Sequence, residues 1–142
     1  MYEIDGNKLE IECIKQIDMI EDSCFEAAEA KVRLDEAKAR LDRYERMADQ
    51  TIRANPKDHG LLKSTEAGIA KAVKCHANVV KALREVNNAK TEVTRLDAVV
   101  VILEHRKRML EQLVKLQGQG YFSDVPTQPR YNEPEGGSRP LR

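Results

Sequence analysis

Three histidines and three cysteines have the widest chemical range in this chain, and their spacing does not assemble a site. His59 falls in a polar connection, whereas His76 and His105 fall in a long helical pattern. Cys75 and His76 are neighbours, and neighbours on a helix diverge by about 100°, so both cannot face one tetrahedral metal. Cys13, Cys24 and Cys75 are odd in number and form no Cys-x-x-Cys pair, which argues for reduced thiols over a disulfide framework. The carboxylates alternate with basic residues, as on the solvated faces of helical bundles, and are not set apart for acid–base work. Gly118-Gln119-Gly120 closes a helical pattern instead of opening one, so it is no phosphate-cradling loop. The expectation is a protein that is not an enzyme, with no metal and no cofactor.

The basic clusters are more informative. At roughly 100° per residue, Arg33, Arg40 and Arg43 lie on one flank of an apolar stripe and Lys38 on the other. A second cluster, His105-Arg106-Lys107-Arg108, sits inside the long C-terminal pattern. There Lys107 takes a position in the apolar seam, where a cation reaches out along its stem or fixes register at some cost in stability. The alternative is that all these charges only solvate a bundle.

The elements that must position these residues are two heptad stripes. In the stretch from Ala72 to Val114, Ala72, Cys75, Val79, Ala82, Val86, Ala89, Val93, Leu96, Val100, Leu103, Leu110 and Val114 recur at spacings of three and four, interrupted only at Lys107. A stripe sustained over six heptads needs a partner helix. Ala27, Ala30, Leu34, Ala37, Leu41, Tyr44, Ala48 and Thr51 form a second stripe whose alanines let a partner backbone come close. Asn55-Pro56 ends that helix, because the residue before a proline is pushed out of the helical region. Ser64 or Thr65 caps the next helix, with Glu66 beside its N-terminal dipole, and Cys75–Asn78 is a place for a kink. Gly118 and Gly120 stop the last helix.

The ends are less regular. Asp5-Gly6 is compatible with a small hairpin, and Asn7 with a helix cap completed by Glu10. Leu9, Cys13, Ile17 and Ile20 continue at helical spacing and favour the helix. Four of the five prolines and Gly136-Gly137 follow Ser123, so residues 123–142 read as a disordered tail that is dispensable for folding. The division expected is a helical N-terminal segment over 1–20, a hairpin core over 21–122 and the tail. With 34% charged and 4% aromatic residues, the chain suits long amphipathic helices, and its small core favours association into a homo-oligomer. The fold expected is all-α: a long antiparallel helical hairpin or coiled coil that self-associates. Net charge is zero, so any case for nucleic acid rests on local clustering. No apolar run approaches a membrane span and no leader pattern opens the chain, which points to no membrane and a cytoplasmic location.

Lys38-Ala39-Arg40-Leu41-Asp42-Arg43-Tyr44 resembles the Lys-Ala-Arg-Leu-Asp-Tyr-Tyr stretch of the UvsY-like bacteriophage recombination mediators. The likeness extends more loosely over about residues 27–122, through a helix end, a polar connection, a capped short helix with Ile69 and Val73, and a long helix. Gly120-Tyr121-Phe122 is similar to that family's closing segment. In the family the basic segment lies on a helix and contacts single-stranded DNA. The resemblance therefore implies that Lys38 and Arg40 are the primary phosphate contacts, with Arg33 and Arg43 widening the positive groove. It further implies a homo-oligomeric ring that helps load a RecA-like recombinase onto DNA coated by a single-strand-binding protein, in the host cytoplasm if the chain is phage-encoded. The chain departs from the family at several positions. Arg43 replaces a tyrosine and removes a stacking ring. Glu45-Arg46 stand where the family turns through Ser-Gly, so the helix here runs further. Gln119 replaces an arginine, and Cys75-His76 stand where an aspartate is expected. Tyr44, at a seam position, is expected to pack in the core. The rival readings are a structural or adaptor coiled-coil protein, such as a phage assembly or scaffolding component without nucleic-acid binding, and an enzyme regulator recognised through its tail.

Overall fold

Small residues at seam spacing on one helix and larger ones on the other let two long helices lie close together. In the computed structural model, which describes residues 2–120, α1 spans Leu9–Ala54, α2 spans Glu66–Cys75 and α3 spans Ala77–Gly118. A 3-10 turn at Pro56–His59 lies between α1 and α2, and among the described residues there is no strand. The chain is all-α. α1 and α3 run antiparallel along most of their length, with Glu12 beside Arg106, Ala30 beside Leu96 and Ile52 beside Val79.

Two apolar clusters hold the pair. At the closed end, Ala48 and Ile52 of α1 meet Ile69 and Val73 of α2 and Val79 of α3, with Leu41, Tyr44, Leu61 and Ala72 around them. Midway, Ala27 and Ala30 receive Leu96, flanked by Val93 and Val100. Ile52 and Leu103 are fully buried, and burying such side chains contributes about 1.5–3 kcal/mol each. α1 continues unbroken through Glu45 and Arg46, and Asn55 before Pro56 ends it. Thr65 caps α2, its Oγ1 accepting from the Gly68 N–H at 3.2 Å. The kink region is a full break: His76 is extended (ψ 132°), closes α2, and caps α3 by accepting the Asn78 N–H on Nδ1 at 3.3 Å. After Gly118 the chain turns at Gly120, whose φ of 75° is the left-handed conformation that glycine adopts without strain.

Several expectations are corrected. Asn7 does not cap α1: Asp5 folds the entry turn, its Oδ1 accepting from the Asn7 N–H and its carbonyl from the Lys8 N–H, and no side chain caps the helix. No hairpin of strands forms there. In the first turns of α1 the seam is Leu9, Glu12 and Gln16, whereas Ile17 is exposed and Cys13 lies on the flank. Ile52 takes the core position expected of Thr51, and Cys75 and Val114 are exposed. The tail expected over 123–142 lies outside the described residues.

Candidate nucleic-acid interface

The four cations singled out from the sequence all stand on the middle of α1, but their surroundings divide them. Arg40 reaches Glu85 of α3 at 3.7 Å, and Arg33 pairs with Glu29 one turn back at 3.8 Å. These two lie on the flank that faces an acidic edge of α3. Glu92, one heptad beyond Glu85 on that edge, has its carboxyl held below the usual range, first by hydrogen bonds from Arg95 and in smaller part by Arg33 across the seam. Lys38 and Arg43 are exposed and make no ion pair among the described residues. Every other arginine of α1 is paired: Arg46 with Asp42 at 2.8 Å, and Arg53 with Asp49 and Glu66. Lys31, on the flank of Lys38, is drawn to Asp97 at 3.3 Å.

Paired cations on exposed helices are weakly held, since such bridges contribute at most about 1 kcal/mol. A phosphate competes for them on nearly equal terms. An unpaired cation needs no exchange at all, so Lys38 and Arg43 are the most available points of positive charge on this stretch. Tyr44 is half-buried against the closed-end cluster and so packs as a core residue rather than a stacking platform.

The second basic cluster is resolved differently from its sequence reading. Lys107 is exposed, and it is Arg106 that enters the seam, 4% exposed. Its Nη1 donates to Gln16 Oε1 at 2.5 Å, and its Nη2 donates to Glu12 Oε2. Gln16 in turn donates to the Leu103 carbonyl at 2.8 Å. Arg106 also donates to the backbone carbonyls of Tyr2 and Glu3, each at 3.3 Å, which ties the N-terminal segment onto the helix pair. Leu96, Leu103 and Leu110 stay buried at sevens, and between the last two the seam takes the third residue, Arg106, instead of the fourth, because Glu12 and Gln16 of α1 stand opposite it. Glu12 and Gln16 were missed as partners because an apolar pattern does not register them. Their spacing from Leu9, three and then four, was the available signal.

Arg106 is therefore structural, which leaves Lys107 and Arg108 as the exposed cations of that cluster. Among the described residues no helix is long and apolar enough to cross a membrane. Comparison with protein-family models, with curated proteins and with solved structures finds no match to this chain.

Proposed function

We propose that this chain is a self-associating coiled-coil protein that binds single-stranded nucleic acid, acting as a recombination mediator that helps load a RecA-like recombinase in the cytoplasm of its host. The observation that carries the proposal is the pair of unpartnered cations, Lys38 and Arg43, within the segment that resembles the UvsY-like mediators. Arg40 and Arg33 join them by exchanging Glu85 and Glu29 for phosphate. Around a homo-oligomer these positions repeat into a basic track although each chain has zero net charge. Self-association is supported by apolar residues on the outer faces of the hairpin. Ile17 of α1 and Val101 and Val114 of α3 are each 45% or more exposed.

Fluorescence anisotropy with a labelled oligonucleotide at two salt concentrations tests the proposal. Affinity should fall steeply with salt, with a log–log slope of about −0.7 for each phosphate neutralised, and should depend little on sequence. Changing Lys38 and Arg43 together to Ala should flatten that slope while preserving helicity, since alanine favours helix. No affinity for the parent at low salt would favour the structural or adaptor reading, which the many carboxylate-paired cations also suit.

A further inference from the structure

The open end of the hairpin carries a groove of about 750 Å³ between the start of α1 and the end of α3. Ile17, Ile20, Leu110 and Val114 line it, with Glu21 on the α1 rim and Lys107 on the α3 rim. Ile17 is 67% exposed and Val114 45%, so this apolar lining is open to water in the single chain. Charge is divided between the two walls. The charged residue that α1 contributes to the groove is Glu21. α3 contributes Lys107 and Lys115 against Glu111.

We propose that the occupant of this groove is the open end of a second copy, docked groove to groove about a two-fold axis running along the hairpin. That operation lays α1 of each copy over α3 of the other, so the wall bearing Glu21 meets the wall bearing Lys107 and Lys115. The other face-to-face arrangement, with the axis across the hairpin, stacks α1 on α1 and brings the two Glu21 walls together, which electrostatic complementarity disfavours. A two-fold contact uses one patch on both copies, so a single groove lined by both charges suffices. The result is a four-helix bundle at the open end, with Ile17, Ile20, Leu110 and Val114 of both copies as its core. This deepens the self-association in the reading above by assigning it a surface.

Light scattering on the full chain, with Ile17→Asp and Phe25→Asp variants, tests the assignment. Both residues are exposed on α1, but Phe25 lies away from the groove, so helical circular dichroism should be unchanged in both. The parent at tens of micromolar should run at twice its 16.1 kDa mass or an even multiple of it. Ile17→Asp should reduce the mass to smaller species, and Phe25→Asp should leave it as it is. Cys13 lines the groove, so in a chain carrying Cys24→Ser and Cys75→Ser its alkylation should slow as concentration rises, and Ile17→Asp should abolish that protection. A monomeric parent, an oligomer indifferent to Ile17→Asp, or one dissolved by Phe25→Asp would overturn the assignment. Oligonucleotide anisotropy on the same samples separates this result from the nucleic-acid reading, since a parent that binds DNA without Ile17-dependent association sinks the groove assignment alone.

Discussion

A guanidinium that is 4% exposed must satisfy its donors, and Arg106 does so through Glu12, Gln16 and the carbonyls of Tyr2 and Glu3. Removing the arginine leaves the Glu12 carboxylate buried without its counter-charge, so its desolvation is no longer offset by attraction. Arg106→Ala should therefore lower unfolding free energy by about 3–5 kcal/mol in urea denaturation. Replacing Glu12, Gln16 and Arg106 together by leucine should be nearly neutral or stabilising, because an ion pair seldom outperforms well-packed apolar groups of similar volume. The pair's contribution is register: Glu12 and Gln16 accept only where Arg106 stands, so the triple variant should lose the fixed alignment of the open end while keeping its stability. Cysteine pairs placed across that end would report slippage as cross-linking at more than one register.

α2 is short, and its attachment combines packing with charge. Ile69 and Val73 enter the closed-end cluster, while Arg53 at the end of α1 donates through both terminal nitrogens to Glu66 in the first turn of α2. Those hydrogen bonds, more than the bare attraction, hold the Glu66 carboxyl below the ordinary glutamate range. A lowered folded value means that the contribution is present above the usual glutamate range and is lost as pH falls through the folded value. Carboxyl chemical shifts should place the Glu66 midpoint below that of an ordinary glutamate, and Arg53→Gln should return it to the usual range. Such element-scale features were largely legible from sequence. The alanine stripe, Asn55-Pro56 and the Thr65 cap each act through local rules that a linear pattern exposes. The α1 entry was misread because apolar spacing selected Cys13 and Ile17, whereas the seam there is polar and depends on Arg106, far along the chain. For the candidate cations, the sequence exposes their place on α1 but not their pairing. Lys38 and Arg40 lie where their spacing placed them, yet whether either meets a carboxylate depends on the alignment of α1 with α3, which no local pattern encodes.

At the scale of the whole molecule, the two ends of the hairpin are built from different materials. The closed end buries Ile52, Ile69 and Val79 across three helices, and the connection from α1 to α2 there is short. The open end joins residues as far apart in sequence as Glu12 and Arg106 and replaces apolar seam residues with polar ones. Closing a loop costs entropy that grows with its length, so contacts at the closed end form first and the remainder zips toward the open end. The same order runs backward under native conditions, as opening events of graded free energy. Amide hydrogen exchange should be slowest around Ala48–Ile52 and Val79–Val86 and progressively faster toward residues 9–16 and 106–118. A uniform profile would contradict this gradient. The end that closes last is the end bearing the groove, so under the proposed docking a second copy would engage only after the zipper has finished, and folding itself would act as the clock for assembly.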